Sequence, residues 1–353
     1  MKYTFAPGPS QLQLETEWYL QEAVASGLLS ESHRSPAFSQ LYEEVLQGFR
    51  SKLELPDSYS LYFLSSATEC WEVLTAGLIS ENALHVYSGA FGQRWYEYAR
   101  AIRPGVEALS FDPDADFDSL KPRLLRPVEL VCFTQNETAN GTQIRPEWLA
   151  EVRAVLQDQL IAVDVTSSLA GQALPWREAD AWFASVQKCL GMPAGLGVLV
   201  CSPQAQQRIE RLGHRAAYNG LQRLHSHWKD RQTSYTPNVL AIYLLSRILQ
   251  DIPPIRQTDA HLQERAHTYY SLLEQHSWLS PFVARAENRS QTVIAVACPP
   301  ERLLAGVLQP AQAAGLTLGR GYKPLDKTTF RIANFPALPA DAVMELCGLL
   351  QGL

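Results

Sequence analysis

Short apolar runs alternate with amphipathic stretches through the first 250 residues of the chain. Runs at 60–64, 83–87, 128–133, 160–165, 182–188 and 198–201 are rich in β-branched, aromatic or leucine residues and read as buried strands. Between them, apolar positions recur at helical spacing over 12–29, 38–53, 95–102, 148–156 and 239–249. A further helix is expected to begin at Ser66, because Ser66 and Glu69 fit a capping box. Strands alternating with helices predict a doubly wound α/β layer with a largely parallel sheet. In such a sheet the C-terminal ends of the strands gather along one edge, where ligands bind. Pro253-Pro254 marks a hinge. Beyond it, helices at 261–275 and 301–314 and strands at 292–297 and 330–333 predict a smaller α+β unit.

Two of the strand-like runs each deliver one charged group. The run at 160–165 carries Asp164, and the run at 182–188 ends in Lys188, the one lysine of seven that directly ends such a run. A lone charge at the end of a buried strand costs free energy unless something pairs with it. A pyridine-ring cofactor bearing an aldehyde would satisfy both, with the Asp facing a protonated ring nitrogen and the Lys bonding to the aldehyde. Other candidates lie along the same edge. Ser65, Ser66, Ala67 and Thr68 offer small and hydroxylated residues at a helix start, either a phosphate cradle or an ordinary cap. Phe91 stands between small residues and could stack on a flat ring or belong to the core. Thr134 to Thr138 form a polar cluster unusual for a simple turn.

Outside that edge, His33-Arg34 reads as a solvated loop or as a clamp for a carboxylate or phosphate. Ser234-Tyr235-Thr236 stands before Pro237 at an expected helix start, and its hydroxyls could reach a phosphate, including one across a dimer interface. Arg331 lies within a strand run and needs an anion, either a substrate carboxylate or an internal partner. His225 and His227, two apart and without surrounding carboxylates, read as a surface loop in preference to a metal site.

A chain of 353 residues supports two domains. Its net charge of −6 argues against a nucleic-acid or membrane-surface binder. No apolar run is long enough to span a bilayer, and the first residues lack a signal peptide's apolar core, so a cytoplasmic protein is expected. The six cysteines show no CxxC spacing and read as buried free thiols.

With these residues assembled, the chain resembles the class V, fold-type I pyridoxal-phosphate aminotransferases, and within them the phosphoserine aminotransferases, nearly end to end. The resemblance rests on Pro7-Gly8-Pro9, Ser32-His33-Arg34, Asn136-Glu137-Thr138, Asp164-Val165-Thr166-Ser167, Gln187-Lys188 and the glycine-rich stretch 191–196. It implies a large domain over 12–250 with a mostly parallel seven-stranded sheet, and a small domain from 1–11 and 251–353. It implies pyridoxal 5′-phosphate as cofactor, with Lys188 as the catalytic amine. Ala67, Thr68, Phe91, Thr138, Asp164, Thr166, Gln187, Tyr235 and Thr236 would bind the cofactor, and His33, Arg34 and Arg331 the substrate. Amino acids and 2-oxo acids are the implied substrates, and a homodimer with sites at the interface the implied assembly. The chain departs from the pattern at Ser65-Ser66-Ala67-Thr68, where the family has Gly-Gly-Gly-Arg, and at Gly321-Tyr322-Lys323, where it has Gly-His-Arg. Contacts to a phosphorylated side chain are thereby reduced, and the amino donor stays open. A lyase of the cysteine desulfurase kind would need a cysteine in a mobile Gly/Ser-rich loop, which this chain lacks. A binding protein without turnover would not need the Lys188 and Asp164 pair.

Overall fold

The computed structural model describes residues 2–156, 158–213 and 217–353. The chain runs through β1 (Tyr3–Phe5), α1 (Thr16–Ala25), α2 (Pro36–Leu53), β2 (Ser60–Leu64), α3 (Ala67–Leu78), β3 (Ala83–Tyr87), α4 (Ala90–Ile102), β4 (Glu107–Ser110) and β5 (Leu130–Thr134). Then come β6 (Asn136–Glu137), β7 (Thr142–Gln143), β8 (Leu160–Asp164), β9 (Ala181–Ser185), β10 (Gly197–Cys201), β11 (Ser280–Pro281), β12 (Val293–Ala297), β13 (Leu316–Arg320) and β14 (Thr329–Ala333). Seven strands form one sheet in the order β2-β10-β9-β8-β5-β3-β4. β10 is antiparallel to both neighbours and every other pairing is parallel. The mostly parallel seven-stranded sheet expected from the resemblance is therefore present.

The reason lies in the strand sequences. β5 and β8 are buried at every position, as strands covered on both faces must be. Successive side chains point to opposite faces. Val131, Phe133, Ile161 and Val163 join α2 and the helix Val239–Asp251 in one apolar cluster. Leu130, Cys132, Leu160 and Ala162 join α3 and α4 in the other. Continuous apolar runs thus build one sheet with two cores.

A second sheet, β1-β13-β14-β12-β11, packs Phe5, Ile294, Phe330 and Ile332 against the helices Ile255–Gln275 and Ala340–Gln351. The N-terminal residues enter it through β1, which pairs in parallel with β13. The arm expected around Pro7-Gly8-Pro9 is thus anchored from its first residues.

Several elements differ from the sequence expectation. The helix expected over 12–29 is the shorter α1, and a left-handed Gly27 (φ 72°) follows it. The run expected to continue to Lys188 stops as a strand at Ser185, and Lys188 lies three residues later in a bend. The helix expected over 301–314 is broken by a π-helical stretch at Leu303–Leu308. Pro237 does not begin the following helix; Asn238 caps it by accepting from Ala241 N at 3.1 Å. His225 and His227 lie on the helix Leu221–Trp228 and not on a surface loop, with His225 buried and bonded to the Tyr62 hydroxyl at 2.8 Å. All six cysteines are free, five of them buried. No helix among the described residues is long and apolar enough to cross a membrane.

Candidate active site

The C-terminal ends of β5, β8 and β9 and the N-terminal ends of α3 and α4 open onto a cavity of about 240 Å³. Its lining includes Lys188, Asp164, Phe91, Thr68, Gln187 and Gly8. Asp164 and Lys188 are only 5 % and 8 % exposed, yet they form no ion pair with each other within 4 Å.

Asp164 ends β8, and its Oδ1 accepts the Thr166 N–H at 2.9 Å. Burial pushes its carboxyl above the usual range, and the Thr166 hydrogen bonds oppose that push. Lys188 is held by the N-terminal arm. Its Nζ donates to Pro7 O, Ser10 N donates to Gln187 O at 3.1 Å, and Ser10 Oγ donates to Lys188 O at 2.8 Å. Gly8 adopts φ +148°, and a Cβ there would lie 2.6 Å from Lys188 Nζ, so a glycine is what lets the arm pass the amine. Burial lowers the Lys188 pKa to about 8, and the nearby Arg331 charge adds to the effect.

The first turn of α4 carries Phe91, whose ring centroid is 5.8 Å from Lys188 Nζ. That turn is set by Glu137. Its buried carboxylate accepts from Phe91 N at 3.2 Å, Gly92 N at 3.1 Å and Ala139 N at 2.9 Å. An anion at a helix N-terminus is favourable, but desolvation here still raises the Glu137 pKa to about 6. At α3, Ser66 accepts from Glu69 N at 3.2 Å, while Glu69 reaches back to Ser65 N at 2.6 Å. The expected capping box therefore closes on Ser65 in place of Ser66. Ala67 N donates to Ser185 Oγ at 2.7 Å, which fixes this helix start against the end of β9.

A polar network ties the site to the second sheet. Thr138 Oγ1 donates to Ser167 Oγ at 3.0 Å, and Ser167 Oγ to Asn136 O at 2.9 Å. Thr292 Oγ1, just before β12, donates to Ser167 O at 2.6 Å. Arg331, on β14, sends Nη1 to Thr138 O at 2.8 Å and Nε to Arg320 O at 2.9 Å. Among the described residues it forms no ion pair, so the internal carboxylate partner considered from sequence is absent. A half-buried guanidinium satisfied only by carbonyls remains open to an anion.

The cavity suits a flat, polar-edged group. Thr134 Oγ1, Asn136 Oδ1 and Gln187 Oε1 are buried without a partner, and all three residues line it. Buried polar atoms are normally satisfied, so these call for a ligand. The helix start offers the Thr68 N–H and hydroxyl for a phosphate, the Ala67 N–H being taken by Ser185 Oγ, and Asp164 suits a cationic ring nitrogen. These donors and acceptors fit pyridoxal phosphate.

Ala67, Thr68, Phe91, Thr138, Asp164, Thr166, Gln187 and Lys188 meet at this cavity. His33, Arg34, Tyr235 and Thr236 are not among its lining residues. They gather elsewhere: Arg34 Nη1 donates to Gln232 Oε1 at 2.5 Å, and His33 Nδ1 lies 3.4 Å from Thr236 Oγ1. Tyr235 stacks on Tyr218 at 4.4 Å beside a separate depression of about 300 Å³. Within one chain the thirteen candidates therefore fall into two groups, with Arg331 reaching the first through Thr138. Sequence reasoning missed Trp71 and Ser185 in the lining and the helix-capping role of Glu137, and gave Thr134 and Asn136, within the polar cluster it singled out, no role of their own. Ser185 could have been found as the last residue of an apolar run; Glu137 left no such local signal.

The aminotransferase class-V family model matches residues 3–303. The phosphoserine aminotransferase of Corynebacterium glutamicum is 25 % identical over 98 % of this chain and 93 % of its own length. A crystal structure of a phosphoserine aminotransferase from Cytophaga hutchinsonii superposes with a TM-score of 0.93 at 29 % identity, covering 99 % of this chain and 98 % of that one. The aspartate aminotransferase of Thermus thermophilus shares the fold, with a TM-score of 0.83 at 21 % identity over 99 % of this chain and 98 % of that one.

Proposed function

Because the chain belongs to the class-V aminotransferases, enzymes that work through pyridoxal phosphate, we propose that it transfers the amino group of phosphoserine to 2-oxoglutarate. The observation that carries the site assignment is the shared cavity of Lys188 and Asp164, two buried ionisable groups with unpartnered polar atoms around them. The donor assignment is supported by relatives that bear the phosphoserine aminotransferase name over nearly their full length.

When bound, pyridoxal phosphate supplies an aldehyde that takes up an amine and a protonated ring that accepts the electrons left on the substrate Cα. Lys188 would hold the cofactor through its Nζ, the position that the substrate amine would take over. Its freed Nζ would accept the proton from the substrate Cα and pass it to the cofactor's former aldehyde carbon, and in the return half-reaction it would carry a proton back from that carbon to the Cα of the 2-oxo acid. A pKa near 8 makes both protonation states accessible near neutrality. Asp164 would keep the ring nitrogen protonated, and Phe91 would offer its face to the ring. Thr138 and Thr166 would bind its polar edge and Thr68 its phosphate, with Ala67 and Gln187 beside them. Arg331 aligns the α-carboxylate.

His33, Arg34, Tyr235 and Thr236 complete the site from a second subunit in this reading. Their separation from the Lys188 cavity within one chain supports a homodimer. A cytoplasmic enzyme of serine biosynthesis follows from the same assignment.

The test is spectroscopic. Phosphoserine should discharge the near-visible band of the bound cofactor, 2-oxoglutarate should restore it, and Lys188→Ala should lack it. The alternative, another amino donor, is favoured by Thr68 and Tyr322, which stand where the family carries arginine and histidine, and by Lys323, which stands in place of an arginine and lacks its bidentate fork. A band that persists with phosphoserine and disappears with another amino acid would reassign the donor.

A further inference from the structure

Phe91 lines the cavity, and Arg94 lies three residues later on α4, hence on the same helix face and one turn farther out. Its guanidinium is exposed and forms no ion pair among the described residues. Nη1 donates to the hydroxyl of Tyr322 at 2.9 Å. The Tyr322 ring packs on Phe91 at 5.1 Å between centroids, and Arg331 stands over it at 5.9 Å. One neutral phenol thus separates two cations, the inner one bonded to the cavity-lining Thr138 and the outer one exposed to solvent. Arg320 and Lys323 flank the same turn, and neither forms an ion pair among the described residues.

A phenol is a poor match for a guanidinium. It accepts through one neutral oxygen, whereas a carboxylate or phosphate can take two N–H groups in charge-assisted bonds roughly twice as strong. The Arg94–Tyr322 bond is therefore one that an arriving anion can replace.

We propose that Arg94 receives the distal anionic group of an acidic substrate and that the Tyr322 hydroxyl holds the guanidinium in place until the substrate arrives. The inference rests on the reading above that Arg331 takes the α-carboxylate. Together they describe a site for two-headed anions: amino dicarboxylates, phosphorylated amino acids and their oxo acids.

The test compares glutamate and phosphoserine with alanine as donors to the holoenzyme, read as ratios of kcat/KM. Arg94→Gln should lower the acidic-to-neutral ratio about 10- to 100-fold, the loss of one charge-assisted pair. Arg94→Lys should retain part of it. Calorimetry adds a binding readout: Arg94→Gln should weaken glutarate and leave butyrate unchanged. Tyr322→Phe keeps the ring and loses the hydroxyl, and should leave the ratio intact. The proposal is overturned if Arg94→Gln lowers all donors alike, or if Tyr322→Phe loses discrimination as fully as Arg94→Gln, because the bond would then be a structural latch. Arg331→Gln separates the two readings, since it should weaken acidic and neutral donors together. If it leaves both unchanged, the Arg331 assignment fails whatever Arg94 does.

Discussion

Glu137 and Phe91 are joined by a hydrogen bond of 3.2 Å from the backbone N–H of the aromatic residue to the buried carboxylate of the other. Because the same carboxylate also takes the N–H of Gly92, the first turn of α4 is fixed by a residue 45 positions later in the chain. Glu137→Ala would leave these donors buried and unpaired, a cost of about 2–3 kcal/mol. Urea unfolding should show that loss. Cofactor affinity should fall with it, since Phe91 rides on the loosened turn.

The same carboxylate makes stability depend on pH. Burial raises its pKa from 4.5 to about 6, so the folded state holds this proton more tightly than the unfolded chain does. Its contribution is full below about pH 4.5 and is lost as the pH rises through about 6, a change on the order of 2 kcal/mol. Glu137→Gln should flatten that part of the stability profile, measured as unfolding midpoints at pH 5 and pH 7.

Gly8→Ala is expected to damage the site more than the fold. At φ +148° an alanine is strained by about 1 kcal/mol, and its methyl group would displace the Lys188 amine from its position 2.6 Å away. Cofactor loading should drop well below wild type while the unfolding midpoint falls by only a few degrees. Intact loading would contradict the contact.

Asp164→Asn keeps an oxygen for the Thr166 N–H and removes the charge. kcat should fall on the order of 100- to 1,000-fold, the scale of one preorganised electrostatic contact. Stability should hold or rise, because a desolvated carboxylate has been taken out of the interior.

For Lys188 the sign runs the other way. Burial lowers its pKa from 10.5 to about 8, so the unprotonated, nucleophilic amine is already abundant one unit above neutrality. The rate at which the cofactor-free protein takes up pyridoxal phosphate should rise with pH and reach half its maximum near 8. A midpoint above 10 would mean that the amine is solvated.

Local sequence determined much of this molecule. The apolar runs around Val131, Ile161 and Phe183 could only be strands buried on both faces, and their alternation with helical stretches left a parallel layer as the economical solution. Asp164 and Lys188 stood out for the same reason: each is a single charge in an apolar run. Tertiary structure decided the rest. β1 is three residues long, too short to carry a periodic signal, and it is a strand because β13 pairs with it. Pro7 O meets Lys188, Glu137 caps α4, and Tyr322 meets Arg94 across separations of tens to hundreds of residues. Hydrophobic periodicity reports which face of one element is buried. It is silent on what that face meets, because that depends on how the remaining elements fill the space around it.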